Sequence, residues 1–213
     1  MSNLENYMKR QAIFCEQNDS ISKNLYSEYG VKRGLRDEKG QGVLTGLTNI
    51  SDIKAFEYHD GVKSPCDGEL SYRGYNIKDL VTGSKGKRFV FEEGAYLLLF
   101  GELPTDTQLM EFQGRLSDCM ELPTNFTRDV IMKAPTADIM GSMTRSILTL
   151  GSYDKEKESL EIPNVLRQSM QLIAVFPMLA VYAYHAYCHY EKNESMYIHR
   201  PEKDLLLKIS CAY

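Results

Sequence analysis

Between Arg167 and Glu191 the chain runs for 23 residues without a formal charge, QSMQLIAVFPMLAVYAYHAYCHY. A helix of that length is long enough to span a bilayer. Its composition argues against one. Two Gln, two His, four Tyr and Pro177 confine the solid apolar run to 172–181. Arg167 before it and Lys192 after it give no basic asymmetry to fix an orientation. A helix apolar on every side is equally the buried centre of a larger helical protein. That is the expectation here, with no membrane partner. Pro163 suits the first helical position, so the helix is expected over 163–190. Leu166, Met170, Ile173, Pro177, Ala180, Tyr184 and Cys188 then step inward by three and four, with a kink at Pro177.

A chain of 213 residues and 24.3 kDa is long enough to build a real core, burying about 70% of its extended surface on scaling grounds. Hydrophobic residues at 43% and charged residues at 25% exclude a disordered tail or a collagen-like fibre. A net charge of −4 offers no basic footprint for nucleic acid. The five cysteines, Cys15, Cys66, Cys119, Cys188 and Cys211, are odd in number and widely spaced. That fits neither a metal knuckle nor a disulfide framework. Reduced thiols in a cytoplasmic protein are the expectation. The amino terminus has no apolar h-region and contains Glu5 and Glu16, unlike a signal or transit peptide.

Four sections are expected along the chain. Residues 1–29 read as a polar lead-in arm with weak helical signals. Residues 30–77 read as loop and a small β-element. Extended pieces are expected at 43–47, 53–59 and 69–72, separated by the turn signals Asp60-Gly61 and Asp67-Gly68. Residues 91–190 read as helical. Phe91–Phe100 closes at Gly101 in a left-handed cap, and Thr105 with Gln108 forms a capping box for the next helix. That helix turns Leu109, Phe112, Leu116 and Cys119 to one face. A short helix is expected over 124–133, stopped before Pro135. Asp138 caps another, with Ile139, Met143, Ile147 and Leu150 inward and Gly151 at its end. Residues 202–213 form a tail. The fold class is mainly α with a small β-element near the amino terminus.

The chain declares no chemistry of its own. His185 and His189 share a helical face with Cys188 beside them, as metal ligands would. They lack a third ligand or an acid one turn away, and the bland alternative is a pair of hydrogen-bonded histidines ending a Tyr-rich helix. His59 beside Asp60 and His199 beside Arg200 read as isolated surface histidines. Gly40-x-Gly42 with Gly46 has no strand before it or helix after it, as a phosphate cradle requires. There is no GxSxG elbow or P-loop. No catalytic, substrate-binding or metal-binding residue is assigned, and no cofactor is expected.

Several segments nonetheless form a recognisable series. They are Gly46-Leu47-Thr48-x-Ile50-x-Asp52-Ile53 and Gly68-x-Leu70-x-Tyr72-Arg73-Gly74-Tyr75-x-Ile77. Then come Phe91-Glu92-Glu93-x-Ala95-Tyr96-Leu97-Leu98-Leu99-Phe100-Gly101-Glu102-Leu103-Pro104-Thr105, Lys133-Ala134-Pro135 with Asp138-Ile139-Met140, and Asn164-Val165-Leu166-Arg167-Gln168-Ser169. Tyr197-Ile198-His199-Arg200-Pro201 is the last. In order and spacing, from about Tyr29 to Pro201, the chain resembles citrate synthase and its 2-methylcitrate synthase relatives. As physics these motifs are scaffold. Gly68 and Gly74 permit tight turns, YLLLFG is a buried helix with its glycine stop, and ELPT starts the next helix.

The resemblance implies a multi-helical, citrate-synthase-like large-domain fragment, the amino-terminal part of an acyltransferase that condenses acetyl-CoA with oxaloacetate. It also implies that the 163–190 helix packs against a second subunit, making a homodimer. In the family, histidines of glycine-rich HGG-type motifs polarise oxaloacetate, and an aspartate takes a proton from acetyl-CoA. This chain contains no HGG sequence, and EKDLLLKISCAY departs from the family pattern. A truncated gene, a shifted frame, a cut chain or one half of a split enzyme with a carboxyl-terminal partner would all give this. A non-catalytic helical dimerisation module is the other reading. An HGG-encoding frame downstream of the Tyr213 codon would favour the enzyme.

Overall fold

The computed structural model describes residues 3–18, 21–32, 34–36, 40, 42–83 and 90–196. The Tyr197–Pro201 motif, His199, Cys211 and the 202–213 tail lie outside the described residues. The fold is mainly α. Helices α1 (Asn3–Asn18) and α2 (Lys23–Glu28) precede strands β1 (Ser51–His59), β2 (Val62–Tyr72) and β3 (Tyr75–Asn76). Helices α3 (Ile77–Gly83), α4 (Val90–Phe100), α5 (Asp106–Asp118), α6 (Ile139–Gly151) and α7 (Ile162–Lys192) follow, with a π-helix at Thr127–Ile131 between α5 and α6. The chain divides into two compact units. One comprises Met1–Ala12 with Asp106–Tyr213, and the other Ile13–Thr105.

The first unit is built around α7. Leu166, Met170, Ala174, Val175, Met178, Leu179, Ala183 and Ala186 are buried along it, and α5, α6 and the π-helix all pack on it. Pro163 sits in its first turn, and Asn193 closes it in the left-handed conformation at φ 56°, which Asn tolerates better than most residues. The expected inward row holds at Leu166, Met170 and Cys188. It fails at Tyr184, which is 47% exposed, because Ala183 and Ala186 bring their own side of the helix into the core. The charge-free stretch is long and apolar enough by composition to cross a membrane, yet much of it is covered by its own unit.

Helix α6 reads differently from its apolar row. Asp138 caps it as expected, its carboxylate accepting from the Gly141 amide at 2.9 Å. The fully buried side chains, however, are Ser142 and Ser146. Ile139, Met143, Ile147 and Leu150 are only half-buried. Small residues four apart allow a helix to approach its neighbour closely, and the Ser146 hydroxyl is satisfied by the Ser142 carbonyl at 2.9 Å. The helix expected over 124–133 shrinks to the five-residue π-helix. Asn125 stands at φ 62°, and a left-handed residue cannot belong to a right-handed helix.

The stretch expected to be an arm contains α1. Its Tyr7, Met8, Gln11 and Ala12 are buried; Arg10 pairs with Glu111 of α5 at 2.6 Å, and the Arg115 guanidinium lies over the Tyr7 ring.

In the second unit, β1, β2 and β3 form an antiparallel sheet in that order. Asp60 and Gly61 turn β1 into β2 at φ 49° and 79°, a two-residue turn whose left-handed backbone matches strand twist. Asp67-Gly68, expected as a second turn, lies inside β2, beside an irregularity in the register between Lys54 and Phe56. Residues 43–47 form no strand. A bridge between Arg36 and Gly42 and a bond from the Val43 amide to the Leu35 carbonyl are their remnant of pairing.

Gly101 adopts φ 84°, and its amide bonds the Leu97 carbonyl at 2.9 Å. A Cβ there would stand 2.8 Å from the Cβ of Asn18. Gly101→Ala is expected to cost about 2–3 kcal/mol from backbone strain and displacement of Asn18, read as a lower urea midpoint with unchanged slope.

Candidate functional site

Of the histidine pair on α7, only His189 reaches the end of the helix. The Nδ1 of His189 lies 2.8 Å from the Glu194 carbonyl. The Glu194 and Asn193 amides both bond the Cys188 carbonyl. His185 stacks edge-on against Tyr184, with 5.9 Å between ring centres. Cys188 is buried, and its thiol, bonded to the Tyr184 hydroxyl, pushes that phenol above its ordinary pKa. Among the described residues no three His, Cys, Asp or Glu side chains come together as metal ligands would. His59 is exposed on the β1–β2 hairpin, 3.8 Å from Glu57, and His199 lies outside the described residues. Among the described residues His59, His185 and His189 join no cluster of metal-ligating side chains.

Two polar clusters that sequence reading missed are better built. In the first unit, Asp154 accepts from Arg167 at 2.7 and 2.9 Å and from Gln168 at 3.0 Å. Asn164 accepts from Arg167 and donates to the Glu156 and Ser159 carbonyls at 2.8 and 3.0 Å. Burial works to raise the Asp154 pKa, but the bonds from Gln168 and Arg167 outweigh it and hold the carboxyl below its usual range. These bonds latch the 152–161 loop to the first turns of α7. Asn164, Arg167 and Gln168 stand three and four apart at a helix start, a signal the sequence did contain.

In the second unit, Arg73 occupies the turn between β2 and β3, with φ 48° at Arg73 and 84° at Gly74. Its guanidinium donates to the Asn18 carbonyl at 3.2 Å, to Asn49 at 3.3 Å and to the Leu98 carbonyl at 3.1 Å. Asn18 donates to the Phe100 carbonyl at 2.8 Å, and the Cys15 thiol to the Leu99 carbonyl at 3.4 Å. One cation therefore closes the carboxyl ends of α1 and α4, where helix carbonyls lack partners and the dipole is negative. An open recess of about 270 Å³ lies between the sheet and α3, lined by Ile53, Leu70 and Ile77 with Glu69, Asn76 and Lys78.

Comparison with known proteins decides what such scaffolding belongs to. The family model described as "Citrate synthase, C-terminal domain" matches residues 35–208. The chain belongs to the citrate synthase family. It is 31% identical over 154 residues to a citrate synthase of Saccharolobus solfataricus, covering 72% of this chain and 35% of that protein. It is 34% identical over 116 residues to a 2-methylcitrate synthase of Shewanella oneidensis, covering 54% and 28%. The crystal structure of citrate synthase from Pyrobaculum aerophilum superposes with a TM-score of 0.61 at 26% identity, covering 82% of this chain and 43% of that one. The chain thus spans about a third of the length of the curated relatives it matches.

The citrate synthase motifs fall on the structural joints just described. Arg73 and Gly74 of YRGY form the β2–β3 turn and the clamp, Gly101 stops α4, and Asn164, Arg167 and Gln168 hold the loop before α7. Glu92 has a more unusual place. It is 2% exposed in the first turn of α4, and its Oε2 is buried without a hydrogen-bond partner. Burial raises its pKa above the usual carboxylate range, against a smaller lowering by its backbone hydrogen bond. A carboxyl raised on folding binds its proton more tightly folded than unfolded, so its contribution is intact below the unfolded pKa and lost as pH rises through the folded one. Glu92→Gln is therefore expected to flatten the fall in stability above about pH 4.3, the ordinary Glu value. Urea unfolding of both proteins across pH 4–8 reads this; parallel curves would refute it.

Proposed function

We propose that this chain is the amino-terminal scaffold of a citrate synthase, the acyltransferase that condenses acetyl-CoA with oxaloacetate to give citrate and CoA, and that alone it performs no turnover. The observation that carries the reading is the match of residues 35–208 to the family, combined with motif residues engaged in helix ends and turns. The implied chemistry is enolisation of the acetyl group, attack on the oxaloacetate carbonyl and hydrolysis of the thioester. It requires a base on the acetyl methyl group and an acid on the carbonyl, held together around the two substrates. No residue of this chain is assigned either role, and no cofactor is proposed. A reducing, cytoplasmic setting is supported by the widely spaced cysteines.

The proposed partners are a second copy of the chain and a carboxyl-terminal synthase half. The copy is supported by α7, where Val165, Phe176 and Tyr184 are exposed, and by α6, where Met140 and Leu148 are 71% and 72% exposed. Apolar rows on packed helices are costly to leave in water. The same rows favour the second reading, a helical dimerisation module without catalysis. Turnover on adding a carboxyl-terminal half separates the two.

Three outcomes test these readings. The purified chain, given acetyl-CoA, oxaloacetate and a thiol reagent, is expected to release CoA at the buffer rate. General acid–base and oxyanion-stabilising groups are each worth about 10²–10⁴ in rate. His185→Ala is expected to move the unfolding midpoint alone, and turnover abolished by that change would make α7 a catalytic helix. Phe176→Glu is expected to weaken self-association by roughly 100-fold, the scale of a charge left unpaired in an apolar interface. Light scattering across a dilution series reads it, and unchanged mass at every dilution would remove α7 from the interface.

A further inference from the structure

We draw no further inference here: the strongest candidate, the apolar recess of about 270 Å³ between the β1–β2 hairpin and the start of α3, lined by Ile53, Leu70 and Ile77, is an unpartnered apolar face, and nothing in the structure shows what covers it.

Discussion

The Arg73 guanidinium is the point on which the unit of Ile13–Thr105 depends. Helices α1 and α4 end with carbonyls that have no partner in their own helix, and a helix end left unpaired is costly. Arg73 donates to the Asn18 carbonyl at the end of α1 and to the Leu98 carbonyl in the last turn of α4. Asn49, which accepts from Arg73, also donates to the Asn18 carbonyl at 3.1 Å. Asn18 in turn donates to Phe100, and Gly101 leaves room for it by having no side chain. A lysine could not replace this arrangement. Its single ammonium lacks the planar fork that reaches three acceptors from one turn.

The second constraint is the covering of α7. Most of the apolar surface of a charge-free helix must meet something other than water. Within the first unit Ser142 and Ser146 give α6 a close approach, while Phe112 and Leu116 of α5 and Phe126 and Ile131 around the π-helix are almost wholly buried. The large apolar side chains left exposed on α7 are Ile162, Val165, Phe176, Tyr184 and Tyr190. The polar latch of Asp154, Asn164, Arg167 and Gln168 fixes the loop that leads into the helix, so its first turn starts from a held position.

Local signals in the sequence were legible where chemistry and geometry lie within a few residues. Asp138 and Gly141, Asp60 and Gly61, Leu97 and Gly101, and the periodic apolar residues of α5 and α7 are all of this kind. The Arg73 joint was not legible because its partners are remote. Arg73 lies 55 positions from Asn18 and 25 from Leu98, and nothing in the spacing of YRGY points to either. Ser142 and Ser146 were passed over because an apolar row beside them gave the stronger periodic signal. Asp67-Gly68 misled because a turn dipeptide also suits an irregular strand position.

If the family motifs here are structural joints, removing the Arg73 head group must loosen both helix ends together. Amide hydrogen exchange on Arg73→Met, against the unchanged chain, reads this directly. Charged hydrogen bonds of this kind are worth about 1.5–3 kcal/mol, so exchange should speed by roughly 10- to 100-fold in the last turn of α4 and over 15–18 of α1. The turns of α7 should keep their protection. Unchanged exchange at both helix ends would contradict the account, because YRGY would then hold nothing in place.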